Sequence, residues 1–202
     1  MTTVKEIPAK LVAELRARTG AGMMACKKAL EQTGGDLEKA VDELRKMGAA
    51  KADTRAERVA SEGVIGHYVH HDGKTAALVE LNCETDFVAR TEEFKALARE
   101  LAIHIAASKP LAVHVEDLPP ETVARERGVY EAQVAEQKKP ENIRGKIVDG
   151  MMKKFYEDNV LLEQKFVKDD KRTVGELVKE LSAKTGEKID VGRFARLRVG
   201  EG

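Results

Sequence analysis

Apolar residues in the first fifty positions recur three or four residues apart, the spacing of an amphipathic helix. The pattern predicts three short helices, separated by breaks at Thr19–Gly20 and Gly34–Gly35, with Asp36 as the N-cap of the third. Their apolar stripes are Leu11 and Leu15, then Met23, Cys26 and Leu30, then Leu37, Ala40, Val41 and Leu44. Because helices this short do not persist alone, the stripes must pack against one another.

The segment from Ala49 to Glu62 is rich in alanine and charge, and it has no sustained apolar stripe. Such a segment is typical of an exposed helical or flexible connector rather than of a core element. We therefore predict a three-helix domain over residues 1–50, a charged helical linker over 51–62 and a core domain over 63–202.

Two runs rich in β-forming residues follow the connector, and a third lies near the C-terminus. Val64–His70 and Thr75–Cys83 flank an Asp72-Gly73 pair, which is a strong signal for a tight hairpin turn. Apolar and polar residues then alternate over Ile189–Val199. This alternation predicts a strand with one buried face, formed by Ile189, Val191, Ala195, Leu197 and Val199.

Two further helices have clear start signals in the predicted core. Thr91 is a candidate N-cap for a helix that must stop before Pro110, and its stripe is Phe94, Leu97, Ala98, Leu101 and Ile105. Thr173 and Glu176 form a capping box that opens a helix ending at Gly186. We expect the first of these helices to cover the hairpin.

Weaker patterns predict helices over Glu121–Gln137 and from Pro140 to Tyr156, with Lys138-Lys139-Pro140 as the break. The chain is therefore predicted to be an α+β protein. A three-helix N-terminal domain precedes a core of small antiparallel β-sheet packed with α-helices.

Composition narrows the classes of function. The chain balances 35 Lys and Arg against 35 Asp and Glu, so it has no overall field that would hold a polyanion. Aromatic residues make up 4% and tryptophan is absent, which leaves little stacking surface for single-stranded nucleic acid. No stretch approaches the roughly 18 consecutive apolar residues of a membrane span. We expect neither nucleic acid nor a membrane as a direct partner.

The two cysteines, Cys26 and Cys83, are too few and too far apart in sequence for a disulfide framework or a structural zinc site. A reducing compartment fits this usage, and the N-terminal residues show no long apolar stretch of a secretory signal. The sequence therefore predicts a cytoplasmic protein.

Candidate catalytic and metal-binding residues cluster near the hairpin turn. His67, His70, His71 and Asp72 are close in sequence, but residues of one strand alternate faces and cannot all converge on a metal ion. Cys83 with one of these histidines lacks a recognisable orienting group or oxyanion-hole motif. We therefore predict no catalytic residue, no bound metal and no cofactor.

Adjacent methionines at the start of the second helix do not fit a simple core stripe. Successive helical residues point about 100° apart, so Met23 and Met24 cannot both face one core. One of them, together with Arg16, is expected to face solvent or a partner. The residues alone leave core filling and partner contact both open.

A second unusual segment is Glu80–Val88, where a strand gives way to polar residues and then to Phe87 beside Asp86. A loop that presents an aromatic side chain next to an acid is a candidate anchor for a partner. The alternative is a hydrophobic staple, in which Phe87 or Val88 folds back on the following helix. The sequence leaves both interpretations open.

These two segments resemble the bacterial elongation factor Ts family in its compact form. Leu15-Arg16 with Thr19–Met24 resembles the first family signature, and Glu80–Val88, centred on Thr85-Asp86-Phe87-Val88, resembles the second. Further similar segments follow in the family order, namely Gly63–Gly66, Phe166–Asp170 and Gly186–Ile189. The resemblance covers nearly the whole chain.

The resemblance implies a guanine-nucleotide exchange factor for the GTPase elongation factor Tu, with no covalent chemistry of its own. It implies a ubiquitin-associated-type helical domain whose Arg16, Met23 and Met24 contact the nucleotide-binding domain of the GTPase. It also implies that Thr85–Val88 reaches the magnesium site, displaces Mg²⁺ and promotes GDP release so that GTP can bind.

Longer members of the family carry a duplicated core, and a homodimer of this shorter chain would supply the missing half. Two other functions stay open as alternatives. One is a GTPase-binding scaffold or chaperone without exchange activity, and the other is an RNA- or ribosome-binding adaptor.

Overall fold

The computed structural model describes residues 7–53, 55, 57–137 and 140–201. Residues 1–6 of the predicted helical domain, positions 54 and 56 of the predicted linker, and Lys138 and Lys139 of the predicted break lie outside this description. The helices are α1 (Ala9–Thr19), α2 (Met23–Gln32), α3 (Leu37–Asp53), α4 (Asp86–Ala89), α5 (Glu92–Ser108), α6 (Pro120–Glu136), α7 (Glu141–Asn159) and α8 (Val174–Thr185), with a 3-10 turn at Val115–Asp117. The strands are β1 (Glu62–Val69), β2 (Thr75–Cys83), β3 (Lys165–Phe166), β4 (Asp169–Thr173) and β5 (Ile189–Arg198).

The chain divides into two compact units, each assembled from three segments. The first unit contains Met1–Gly63, Asn82–Val88 and Val178–Asp190, and the second contains Val64–Leu81, Ala89–Leu177 and Val191–Gly202. The first segment singled out by the sequence and residues Asn82–Val88 of the second therefore belong to the first unit. The predicted domain boundaries at residues 50 and 62 stay predictions.

In the first unit, α1, α2 and α3 pack around one apolar core, as their sequence stripes predict. The buried side chains are Val12, Leu15, Cys26, Ala29, Leu30, Ala40 and Leu44. The predicted cap of α3 is confirmed, because Asp36 Oδ1 accepts a hydrogen bond from the amide of Lys39 at 3.1 Å. The helix continues to Asp53, past the predicted start of the connector at Ala49.

The prediction that Met23 belongs to the buried stripe of the second helix is wrong. Met23 is 59% exposed, whereas Cys26 and Leu30 of the same stripe are completely buried. The reason is that α2 begins at Met23. The side chain therefore lies at the end of the helix, beyond the enclosed core.

The second unit contains most of a three-stranded sheet with the order β1-β2-β5. The predicted hairpin between β1 and β2 is confirmed, because the amide of His70 donates to the carbonyl of Thr75 at 2.8 Å. Helix α5 lies directly against β1, where a Cβ atom at Gly66 would come within 2.2 Å of the carbonyl oxygen of Ala98. Only glycine permits this close approach.

Strand β5 exists as predicted, but its buried face is not the predicted one. Ile189 and Val191 are buried, whereas Leu197 and Val199 are each 74% exposed. Arg196 instead turns inward, and its Nε donates to the carbonyl of Ala106 in α5 at 3.1 Å. The alternation therefore shifts by one residue between Val191 and Arg196, which turns Leu197 away from α5.

The remaining elements of the second unit include a helical pair and a small ribbon. Helices α6 and α7 pack together around Val134, Val148 and Met152. Strands β3 and β4 form a two-stranded antiparallel ribbon that the sequence did not predict. The capping box that opens α8 is confirmed, since Glu176 N donates to Thr173 Oγ1 at 3.1 Å and Thr173 N donates to Glu176 Oε2 at 2.8 Å.

The predicted α+β class is confirmed by this combination of helices with a small antiparallel sheet. Across the part of the chain that the structure describes, no helix is both long enough and apolar enough to cross a membrane.

Candidate partner-binding site

An open groove of about 610 Å³ lies on the three-helix part of the first unit. We call it the methionine groove, and its lining residues are Ile7, Ala9, Val12, Ala13, Arg16, Ala17, Met23, Met24 and Lys27. Met23 and Met24 are 59% and 75% exposed, so both methionines face solvent rather than only one. The structure therefore brings together Arg16, Met23 and Met24, the three residues that the first signature singled out.

The turn between α1 and α2 fixes the position of the two methionines. Gly20 ends α1 at a φ of 68°, a left-handed conformation that favours glycine, and its amide donates to the carbonyl of Arg16 at 2.8 Å. The hydroxyl of Thr19 donates to the carbonyl of Leu15 at 2.8 Å and accepts from the amide of Ala21 at 3.3 Å. The first signature is thus a helix–helix turn held by backbone and Thr19 hydrogen bonds.

The lining of the groove combines small side chains with two positive charges. Ala9, Ala13 and Ala17 lie four residues apart along α1, so they form one row on a single face of the helix. Arg16 and Lys27 are both exposed beside this row.

The second candidate segment, Thr85–Val88, is called here the Phe87 segment. Phe87 lies in the single turn of α4, and its side chain is 79% exposed. The staple interpretation is therefore wrong for Phe87, which does not fold back into the protein. Asp86 and Val88 on either side are half-buried, and Val88 N donates to Thr85 Oγ1 at 3.4 Å.

The Phe87 segment is held by a glutamate from the turn between α8 and β5. Oε2 of Glu187 accepts hydrogen bonds from the backbone amides of Glu84 and Thr85, both at 3.1 Å. Oε1 of the same carboxylate accepts from the hydroxyl of Thr85 at 2.7 Å. One side chain therefore binds three donors immediately before the exposed phenylalanine.

The carboxylate of Glu84 in turn binds the backbone next to Glu187. Oε1 of Glu84 accepts from the backbone amide of Lys188 at 2.5 Å and from Nη1 of Arg58 in the connector at 3.2 Å. The hydrogen bond from the Lys188 amide, reinforced by the nearby charge of Arg58, lowers the pKa of Glu84 below its usual value of 4.5. Glu84 is therefore ionised at neutral pH.

Sequence reasoning missed Glu187 and Arg58 as parts of this site. Glu187 lies 102 residues from Thr85, and its neighbourhood in the chain carries no motif that points to the earlier loop. The only signal was the resemblance of Gly186–Ile189 to a family segment, which assigned that glutamate no role.

The alternative enzymatic interpretation gains no support from Cys83. Its thiol is completely buried and donates to the carbonyl of Thr85 at 3.2 Å. The side chain therefore fixes the loop rather than facing a substrate.

Near the hairpin, Tyr68 and His70 form a hydrogen bond with each other, at 2.9 Å between the hydroxyl and Nδ1. No group of three or more potential metal ligands occurs within the described ranges.

The fold and these two segments define a class, that of α+β proteins that present apolar side chains at the surface from hydrogen-bonded turns. A family model described as Elongation factor TS matches residues 5–201. The chain is 53% identical to elongation factor Ts of Thermosipho melanesiensis over 195 residues, which is 96% of this chain and 100% of the relative.

It is also 53% identical to elongation factor Ts of Nitratidesulfovibrio vulgaris, with 96% of this chain and 97% of the relative covered. The same identity holds for elongation factor Ts of Thermotoga maritima, with 98% of each chain covered. The chain therefore belongs to the elongation factor Ts family, whose members act in translation elongation during protein biosynthesis. The resemblance seen in the sequence is confirmed.

Proposed function

We propose that this protein is a guanine-nucleotide exchange factor that acts in the cytoplasm on the GDP form of elongation factor Tu. The methionine groove, through Arg16, Met23 and Met24, docks onto the nucleotide-binding domain of that GTPase. Phe87, supported by Asp86 and flanked by Thr85 and Val88, enters beside the magnesium site. Loss of Mg²⁺ weakens GDP binding, and GTP then occupies the empty site during elongation.

The observation that carries this proposal is the exposure of Phe87. Phe87 is 79% exposed, so the free protein forgoes the stabilisation that burial of this large apolar ring would give. The backbone is nevertheless held by hydrogen bonds of the Thr85 and Val88 amides on either side of it. A projecting aromatic side chain on a rigid support is what insertion into a partner requires. The exchange step needs no covalent chemistry from this chain.

Energy considerations require that the two segments act together. Burying one phenylalanine contributes roughly 1.5–3 kcal/mol, which is about one to two powers of ten in an equilibrium constant. Phe87 alone is therefore too weak to displace a tightly held nucleotide. Docking through the methionine groove adds favourable binding free energy, which compensates for the lost contacts of the GTPase with Mg²⁺ and GDP.

The coupling must be reciprocal. Whatever affinity this protein removes from the nucleotide, the nucleotide removes equally from this protein. Incoming GTP therefore helps to eject the exchange factor. The cycle is catalytic because the same chain can then act on another GDP-bound GTPase.

The direct test mixes the protein with GDP-loaded elongation factor Tu and follows both complex formation and nucleotide content. Size-exclusion chromatography is expected to give a nucleotide-free complex, and stopped-flow measurements with a fluorescent GDP analogue should show accelerated release. Phe87→Ala is expected to slow that release by about tenfold or more while leaving detectable binding. An unchanged release rate would remove Phe87 from the mechanism.

The same experiment separates the alternatives. A complex that forms and retains GDP would indicate a scaffold or chaperone without exchange activity. Retention on ribosomes or RNA with steep salt dependence, and no complex with the GTPase, would indicate the adaptor.

We also propose that the protein forms a homodimer through the outer face of its sheet. Gly66 lies against α5, so the neighbouring Ile65 points away from this helix, and it is 57% exposed. Leu78 and Leu197 point the same way and are 51% and 74% exposed. A second copy would cover this apolar face and would supply the second core module.

Light scattering at increasing concentration tests the dimer, which should give twice the mass of one chain. Leu197→Lys places a charge within the proposed interface and is expected to yield a monomer. Leu111→Lys is the matched control, because Leu111 is 60% exposed but lies outside the sheet. A monomeric wild-type protein at all concentrations would exclude this dimer.

A further inference from the structure

The exposed ring of Phe87 sits on a loop whose conformation is set from outside that loop. We propose that Glu187 is a positioning residue of the exchange reaction, whose carboxylate, together with that of Glu84, holds the Phe87 segment in its projecting conformation. This inference rests on the proposed exchange function and adds the residues that make the insertion possible.

The first argument is the number and placement of the donors on Glu187. Its carboxylate accepts two backbone amides and the Thr85 hydroxyl at 3.1, 3.1 and 2.7 Å. Hydrogen bonds to a charged acceptor are stronger than neutral ones, and three of them fix both the backbone and a side chain. Thr85 then accepts from Val88 N at 3.4 Å, so the constraint extends across Phe87.

The second argument is that Glu187 is itself held in place. Its carbonyl accepts from the hydroxyl of Ser182 at 2.6 Å, and Ser182 is buried in α8. The carbonyl of Ser182 in turn accepts from Nη1 of Arg55 in the connector at 3.0 Å. A carboxylate on a fixed backbone binds its donors with less loss of conformational entropy than a mobile one.

The third argument is the reciprocity between the two turns. Glu187 binds the amides of the turn that carries Glu84, and Glu84 binds the amide of Lys188 at 2.5 Å. Each loop therefore donates its backbone to the carboxylate of the other. Arg58 joins the pair by donating to Glu84 at 3.2 Å, which ties the connector to the Phe87 segment.

In this proposal Glu187 acts on the loop of its own chain and not on the GTPase. Its carboxylate is half-buried and directed at the loop amides. Its effect on exchange must therefore pass through the orientation of Phe87. We call the Glu187 and Glu84 carboxylates with their hydrogen bonds the clamp. Removing it should lower the maximal rate of GDP release strongly, while the factor concentration at half-saturation changes little. The reason is that the methionine groove continues to dock.

The first measurement uses the free protein and is independent of any GTPase. Glu187→Ala is expected to accelerate amide hydrogen exchange at Glu84 and Thr85 by about tenfold, followed residue by residue by NMR. The control Glu163→Ala, which removes an exposed glutamate far from the Phe87 segment in sequence, should leave these amides unchanged. Unchanged exchange at both amides in Glu187→Ala would overturn the clamp, whatever the fate of the exchange hypothesis.

The second measurement is GDP release from elongation factor Tu as a function of factor concentration. Glu187→Ala is expected to lower the maximal rate about tenfold, the equivalent of about 1.4 kcal/mol, with a smaller change in half-saturation. Glu187→Gln retains an oxygen for the two amides and an amide group that can donate to Thr85 Oγ1, so it should recover most of the rate. Equal losses for both variants would contradict a hydrogen-bonding role.

The third measurement is a double-mutant cycle. In a Phe87→Ala background, Glu187→Ala should change the rate by less than about twofold, because no ring is left to position. Fully multiplicative effects would show that Glu187 acts independently of Phe87 and would overturn the proposal. If Phe87→Ala alone leaves GDP release unchanged, the insertion hypothesis fails, while the amide exchange rates still decide the clamp.

A milder variant guards against loss of folding. Thr85→Val removes the hydroxyl that donates to Glu187 and accepts from Val88, but it keeps both backbone amides. An intermediate loss of maximal rate, with a circular dichroism spectrum like that of the wild type, would support the clamp. No loss at all would count against it.

Discussion

The methionine groove and the Phe87 segment both expose apolar side chains in the same unit of the molecule, but they are supported in different ways. Met23 and Met24 stand at the edge of a helical core whose contacts join residues close in sequence. Phe87 stands on a turn whose backbone is bound by a carboxylate 102 residues away. The first support is mainly apolar packing, and the second is mainly hydrogen bonding to charged groups.

The difference teaches where each region is vulnerable. A packed core loses stability through cavities, whereas a hydrogen-bonded loop loses its geometry when one acceptor is removed. The two regions should therefore respond to different substitutions and to different solution conditions. The three predictions below test this contrast.

Leu30→Ala is expected to have the largest effect. Leu30 is completely buried in the core of α1, α2 and α3, so its truncation should lower the free energy of unfolding by about 2–5 kcal/mol. Urea denaturation followed by circular dichroism measures the loss. The rate of GDP release from the GTPase should also fall, because the methionine groove is formed on this core.

The matched control for that prediction is Met24→Ala. Met24 is 75% exposed, so its truncation should change the free energy of unfolding by less than about 0.5 kcal/mol while weakening docking to the GTPase. A similar loss of stability in both variants would contradict the division between core and exposed edge.

The fold was largely predictable because most of its elements are defined by local patterns. The caps at Asp36, Thr91 and Thr173 act within three residues of their partners, and the Asp72-Gly73 turn is equally local. The exposed face of β5 was not predictable, because it depends on a one-residue shift that brings Arg196 to α5. Nothing in the alternation of the strand reveals that long-range contact.

The candidate site divides in the same way. Arg16, Met23 and Met24 were found from helical periodicity, and the structure gathers them on one groove. Thr85–Val88 was noticed because an aromatic follows an acid, yet exposure of the ring was left undecided by the sequence alone. What decides it is the turn at Glu187 and Lys188, and hydrogen bonds between distant turns leave no periodic signal.

Gly20→Ala tests how rigid the turn before the methionines must be. Gly20 has a φ of 68°, so an alanine there costs about 1–2 kcal/mol of backbone strain. Gly22→Ala is the matched control within the same turn, since its φ is −61° and no atom beyond its two chain neighbours lies within 4 Å of the added Cβ. Thermal unfolding should show a lower Tm for Gly20→Ala. For Gly22→Ala the Tm should stay close to that of the wild type, because its free energy of unfolding should change by less than about 0.5 kcal/mol.

The smallest expected effect is a pH response confined to the Phe87 segment. The amide of Lys188 and then Arg58 lower the pKa of Glu84 below 4.5, so the folded state favours the ionised carboxylate. By linkage, its contribution to stability is fully present above pH 4.5 and is lost as the pH falls through the lowered folded pKa.

The NMR shift of the Lys188 amide should therefore titrate with a midpoint below 4.5, and Arg58→Gln should raise that midpoint. The amide of Ala21 donates to the neutral hydroxyl of Thr19, so it should not move over this range. A shared titration of the Lys188 and Ala21 amides would mean that the two regions loosen together, because acid would then act on the whole unit rather than on the carboxylate clamp.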